Sequence, residues 1–295
     1  MTKWKGKSRG GAFGYLFFIF LIKKIGIRAA YIFLGTIVSY FILFAPKATK
    51  SIWNYSRKTL NLNVIHSIKM LFLNYYRLGQ TLIDKVAVGN GMKDKYNFRF
   101  ENYDKFLDIL NADTGAIIIG AHIGNWEIGT PFFDEYGKKI NIVLYDAEYQ
   151  RIKDVLQQNT VSADFKIISV NNSDLNHVFA IKEALDNKEY ICFQGDRYVN
   201  EERCLKTTFM GKEANFPLGP FLLAAKMKAP VVFYFAMRER KKTYRFHFIQ
   251  ATSYRKEDNI RSEQQLLNQY VSAVESVICK YPEQWFNYYK FWNEK

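Results

Sequence analysis

Residues 116–129 read AIIIGAHIGNWEIG. The first six are a compact apolar run with turn residues around it, which fits a buried strand. His122 follows at once. A polar, titratable residue at the end of a buried strand occupies the place where α/β enzymes carry their catalytic groups.

Working outward from this stretch, strands and helices alternate. Downstream, residues 125–136 fit a helix with Gly137 at its end. Strands are expected over 140–145, 165–170, 190–193, 231–237 and 244–249. Helices are expected over 149–158, 174–187 and 217–228, the last with proline in its first turn. Residues 264–281 form an amphipathic pattern through Leu266, Leu267, Tyr270, Val271, Val274, Val277 and Ile278, stopped by Pro282. Upstream, residues 50–110 look helical, with a break at Gly89-Asn90-Gly91 and a short helix around Phe106, Leu107 and Leu110. The expected fold class is α/β: a mixed central sheet flanked by helices, its active site beyond the carboxyl ends of the strands.

The N-terminus has a different character. Residues 1–11, MTKWKGKSRGG, are basic; residues 12–22, AFGYLFFIFLI, are apolar but too short to span a bilayer; Lys23 and Lys24 interrupt. Residues 25–45 are apolar again, and about 21 residues of helix reach roughly 30 Å, enough to cross. Arg28 near their start would snorkel to the headgroups. A single span and a pair of interfacial helices both fit. A cleaved signal peptide does not, because Lys23-Lys24 stands where small residues belong. The expected division is a membrane-anchoring helical segment over 1–48 and a catalytic domain over 49–295, with positive charge on the cytosolic side.

Of 295 residues, 48% are hydrophobic, which excludes a disordered chain, and 25 Phe, 20 Tyr and 5 Trp suit both cores and membrane interfaces. The net charge of +14 calls for an anionic partner. Basic residues are spread along the chain without zinc-finger spacing, an RNP signature or a basic-region heptad, so a membrane surface fits better than nucleic acid. The three cysteines, Cys192, Cys204 and Cys279, form no C-x-x-C pair and indicate a reducing, cytosol-facing environment.

Among four histidines, His66, His122, His177 and His247, only His122 follows a buried strand directly. Glu127 lies five residues on, about 140° around a continuous helix, so the two meet only if His122 precedes the helix. Asn125 would then be the N-cap, Glu127 would fall in the first turn, and Gly120 and Gly124 would allow a tight turn. The carboxylate would hold one imidazole nitrogen and leave the other as a base. There is no G-x-S-x-G elbow, no phosphate-binding glycine loop and no H-E-x-x-H, so neither a serine nucleophile, nor a nucleotide, nor a metal or cofactor is indicated. A His/Glu pair without a protein nucleophile suits direct attack by a substrate hydroxyl or amine.

The segment resembles the H-x-x-x-x-D/E motif of glycerolipid-type acyltransferases, and the whole chain resembles the lipid A biosynthesis lauroyl and myristoyl acyltransferases among them. W-K-G-K-S-R-G-G with the apolar stretch behind it is similar to their membrane-anchoring start. Gly195-Asp196-Arg197 after a strand, Phe209-Met210-Gly211 with Pro217-x-Gly219 and LLAAKMKAPVVF, and the closing Pro282-x-Gln284-Trp285 follow in the family's order. Two blocks depart: G-D-R stands where the branch often carries D-Q, and Phe286-Asn287-Tyr288 follows the closing tryptophan.

The resemblance implies a glycerolipid acyltransferase-like fold on the cytoplasmic face of the inner membrane. It implies acyl transfer from acyl carrier protein or acyl-CoA to a lipid acceptor, with His122 as general base and Glu127 as its partner. It also implies that Asn125 caps the turn or touches the thioester oxygen, that Asp196 and Arg197 bind substrate, and that Gly211 and Gly219 form backbone turns. The acceptor is lipid A or a related envelope lipid; an amino-acid lipid, a glycolipid or a polyene pigment head group keeps the same chemistry. A non-catalytic membrane-bound lipid-binding protein is the contrasting class.

Overall fold

The computed structural model describes residues 12–129, 136–145, 165–170, 175–198, 201–252 and 261–292. Its N-terminal part is helical. Helix α1 (Ala12–Lys24) and α2 (Ile27–Phe44) are followed by α3 (Pro46–Asn54), a π-helical turn at Tyr55–Thr59 and the long α4 (Val64–Gly89). The Asn63 side chain caps α4 by accepting from the His66 N–H at 2.9 Å.

Helix α2 is 18 residues of mean hydropathy 1.8, long and apolar enough to cross a bilayer. Only the stripe Ile27, Ala30, Leu34 and Val38 is buried, at spacings of three and four. That stripe packs on α4 so closely that a Cβ at Gly79 would stand 2.3 Å from Leu34 Cδ1. The exposed side carries large apolar residues as well, Ile32 78% and Leu43 73% exposed, among the polar Arg28, Thr36 and Ser39.

A seven-stranded sheet forms the centre. Its strands are β1 (Asn97–Glu101), β2 (Ala116–Gly120), β3 (Ile140–Tyr145), β4 (Phe165–Val170), β5 (Tyr190–Gln194), β8 (Val231–Arg238) and β9 (Thr243–Gln250), ordered β1-β9-β8-β2-β5-β3-β4. All neighbours run parallel except the β8–β9 pair. Strands β6 (Cys204–Phe209) and β7 (Lys212–Pro217) form a separate antiparallel hairpin. Helices α5 (Tyr103–Asn111), α6 (Asn176–Asp186), α7 (Leu218–Met227) and α8 (Ser262–Lys280) complete the described elements.

Both sheet faces are covered, which is why β2 reads as an unbroken apolar run rather than an alternating one. Ile117 and Ile119 join the core under α7 and α8, whereas Ala116 and Ile118 join the core under α2, α4 and α5. The expected α/β class with a mixed sheet is what the chain adopts. Two expectations are corrected. Residues 97–101 are an edge strand inside the stretch read as helical, and residues 204–217 are a hairpin not foreseen. The expected helix over 149–158 lies outside the described residues.

A buried polar cluster ties the helical part to the sheet. Asp84 on α4, fully buried, accepts from Arg238 Nε at 2.8 Å, Tyr244 at 2.6 Å and Tyr96 at 3.0 Å, and also from Tyr31 on α2. Such a carboxylate persists in an apolar interior only because each lone pair is engaged.

Candidate active site

Strands β2 and β5 are parallel neighbours, with Gly120 opposite Gln194. The Gly195 N–H donates to the Gly120 carbonyl at 2.9 Å, so the two chains leave the sheet together. His122 lies two residues beyond Gly120 and Asp196 two beyond Gln194. Equal offsets past a registered pair bring the two side chains to the same level, about one strand spacing of 4.8 Å apart at the backbone. They meet twice: Asp196 Oδ1 lies 2.8 Å from His122 Nδ1, and Oδ2 accepts from the His122 backbone N–H at 2.9 Å.

Asp196 is only 4% exposed. Burial pushes its carboxyl up, but the His122 ring and backbone N–H and the Arg197 guanidinium outweigh that and hold it below the ordinary carboxylate value. The carboxylate is therefore ionised at neutral pH and fixes Nδ1 as the protonated nitrogen, which leaves Nε2 as the basic one.

The loop that carries His122 is clamped from two sides. The Gly124 N–H donates to Gln284 O at 3.0 Å, the Asn125 N–H to Ala236 O at 2.8 Å, and the Phe286 N–H to His122 O at 2.9 Å. Gly124 has φ +63, and a Cβ there would lie 2.2 Å from Ala236 O, so only glycine fits. The closing P-x-Q-W block supplies the outer clamp. The buried Gln284 amide accepts from the Arg238 N–H at 2.9 Å and donates to the Arg238 carbonyl at 2.8 Å, as an extra strand would. Trp285 packs edge-on against Tyr55, Phe209, Phe291 and Trp292.

The remaining predicted residues separate. Glu127 is not on the imidazole: its carboxylate pairs with Lys85 of α4 at 2.5 Å. The reason is the clamp, which sends the chain after Gly124 toward α4 instead of back over His122. Only a 3₁₀ turn, Trp126–Gly129, starts the expected helix, and residues 130–135 are not described. Asn125 is 5% exposed, and its side chain neither caps nor faces the site; Nδ2 donates to Thr81 O at 3.1 Å and Tyr244 OH at 3.4 Å. Gly211, with φ +76, sits with Met210 in the turn of the β6–β7 hairpin. Arg197 stays beside Asp196, and its Nη2 donates to Phe286 O at 3.3 Å.

An acyl-transfer site needs hydrogen-bond donors for the oxyanion that forms on the thioester carbon. From His122 to Asn125 each already has an acceptor: Asp196, Ala121, Gln284 and Ala236 in turn. None of these four is therefore open to a substrate oxyanion. Two contributors escaped the sequence reading. Gln284 was visible only as part of a motif, and Lys85 had no signal beyond its place on a helix.

A model of the bacterial lipid A biosynthesis acyltransferases matches residues 67–294, which include every site residue named above. A search of curated proteins returns no significant match. The match spans more than three quarters of the chain and takes in the ordered blocks around His122, Asp196 and Gln284, so this protein belongs to the bacterial lipid A biosynthesis acyltransferase family and is an acyltransferase.

Proposed function

We propose that the protein moves a fatty-acyl group from an acyl thioester, on acyl carrier protein or coenzyme A, to a hydroxyl of lipid A or a related envelope lipid. The observation that carries this reading is the double contact of Asp196 with His122 at the carboxyl ends of β2 and β5. His122 Nε2 takes the proton of the acceptor hydroxyl as its oxygen attacks the thioester carbon. The carbon–sulfur bond then breaks, and the thiolate leaves with the proton held on Nε2. Arg197, beside Asp196, supplies positive charge for the oxyanion or a substrate phosphate. Glu127 on the same loop, with Lys85 of α4, provides a second charged pair that orients a polar head group.

Membrane placement rests on α2, whose length and apolar composition suffice to cross a bilayer and which exposes Ile32, Phe33, Leu43 and Phe44. Residues 1–48 serve as the anchor and 49–295 as the catalytic part, held on the cytoplasmic face of the inner membrane. The net charge of +14 favours anionic lipid and an acidic acyl carrier protein.

The test is lipid mass spectrometry on cells lacking the gene, complemented with the wild type or with His122→Ala. Lipid A that loses one acyl chain, restored only by the wild type, supports the reading. Full complementation by His122→Ala would sink the mechanism. Loss of a different acylated lipid would move the acceptor to the amino-acid lipid, glycolipid or pigment class.

A further inference from the structure

Basic residues run the length of the chain, but acidic ones do not. Residues 1–83 hold thirteen Lys and Arg and no Asp or Glu; the first carboxylate is that of Asp84. The residues from 84 onward hold 29 basic and 28 acidic side chains. The excess of +14 therefore lies almost wholly before Asp84, in the helical part of the fold and the segment that precedes it.

The same part turns apolar side chains outward. The first nine residues of α4 expose Val64, Ile65 (77%), Ile68 (56%) and Phe72. At about 100° per residue these four fall within an arc of about 100°, a single face. The other side of the helix buries Ser67, Met70, Leu71 and Asn74. This face joins the exposed side of α2. Phe72 stacks on Tyr76 with ring centroids 5.9 Å apart, and the Tyr76 hydroxyl donates to the Tyr31 carbonyl at 3.2 Å, next to the exposed Ile32 and Phe33. The polar residues of α2 do not demand water: Thr36 donates to the Phe33 carbonyl and Ser39 to the Gly35 carbonyl.

The rim is basic. Lys47, Lys50, Arg57 and Lys58 are exposed between α2 and α4, and Lys69 is exposed at the edge of the α4 face. Such stems lie along apolar surface while their charged ends reach headgroup phosphates. An apolar face in a basic, acid-free surround is what a helix needs to lie in the interface of an anionic bilayer.

We propose that the first half of α4 is a second membrane-docking surface, lying with the exposed side of α2 in the headgroup–acyl boundary of an anionic phospholipid bilayer. The inference extends the membrane placement read from α2 and rests on it.

The test is flotation of the full-length protein with vesicles of phosphatidylcholine, and with vesicles in which a third of it is replaced by phosphatidylglycerol. The wild type should bind the anionic vesicles at least about tenfold more tightly. Ile65→Asp combined with Ile68→Asp should lower that binding by at least about tenfold, the factor that withdrawing one such side chain from an apolar phase carries. Aspartate near a helix start suits the helix dipole, so the unfolding midpoint and acyl transfer in detergent should match the wild type. Ile65→Phe combined with Ile68→Phe should retain binding. So should Leu175→Asp combined with Phe179→Asp, which removes apolar residues of similar exposure beside and on α6. Undiminished flotation of the Ile65/Ile68 aspartate variant, an equal loss in the Leu175/Phe179 variant, or equal binding to the two vesicle types overturns the proposal while leaving α2 as the anchor. Loss of transfer in detergent together with flotation also overturns it, because the face then serves the fold. Conversion of a dimer to a monomer with flotation intact assigns the face to a second copy and overturns it too. If the wild type floats with neither vesicle, the membrane placement itself falls and this inference with it.

Discussion

Asp196 grips His122 at two points, the ring through Oδ1 and the backbone N–H through Oδ2, from a position 74 residues further along the chain. One carboxylate thereby sets both the tautomer of the ring and the position of the loop that presents it. This division of labour distinguishes Asp196 from Glu127, whose carboxylate lies on Lys85 with both side chains partly exposed.

Asp196→Asn keeps the shape but loses the charge and allows the wrong tautomer. Turnover should fall by roughly 10³- to 10⁴-fold, the loss seen when the acid of such a pair is neutralised. Glu127→Gln breaks a partly exposed ion pair that contributes about 1 kcal/mol or less to stability, so its unfolding midpoint should stay near that of the wild type. Steady-state rates with circular dichroism on both variants check the contrast; equal, small losses of turnover would remove Asp196 from the mechanism.

Gly124→Ala places a methyl group into the Ala236 carbonyl and forces a positive φ on a residue that resists it. The loop must move, and His122 with it. We expect activity to drop by at least about 10²-fold, as a misplacement of about 1 Å does, while the far-ultraviolet spectrum remains that of the wild type. An active Gly124→Ala protein would show that the clamp does not set the position of His122.

His247 on β9 gives a pH dependence. Burial, the largest influence, pushes its pKa down and outweighs the Glu101 carboxylate 2.8 Å from Nδ1; Lys280 and Arg245 add to the lowering. A folded pKa below the unfolded value of about 6.5 means that the stabilisation is present above that pH and is lost as pH falls. The unfolding midpoint should therefore decline on acidification from pH 7 toward pH 5. In His247→Gln that part of the decline should flatten; an unchanged slope would assign it to other groups.

Much of the fold was legible in the residues. The apolar run at 116–120, the helical periodicity ending at Pro282 and the strands at 140–145 and 165–170 each declare themselves locally, because burial on one or both faces imposes a period on the chain. Strand β1 did not. Its NFRFE buries no residue fully at the sheet edge and is separated from the long α4 only by a short turn segment. The β6–β7 hairpin turns on Met210-Gly211, a pair read instead as part of a motif.

For the site, the sequence alone singled out His122 at a strand end and placed Asp196 and Arg197 after another strand. It could not decide which carboxylate holds the imidazole. Spacing along the chain pointed to Glu127, five residues away, whereas the answer depends on which strands are neighbours. Only the β2–β5 pairing puts Asp196 level with His122, and only the clamp from Gln284 and Ala236 turns Glu127 toward Lys85. Local patterns fix elements because they report burial of nearby residues; the contact between His122 and Asp196 belongs to the sheet order, which no local pattern encodes.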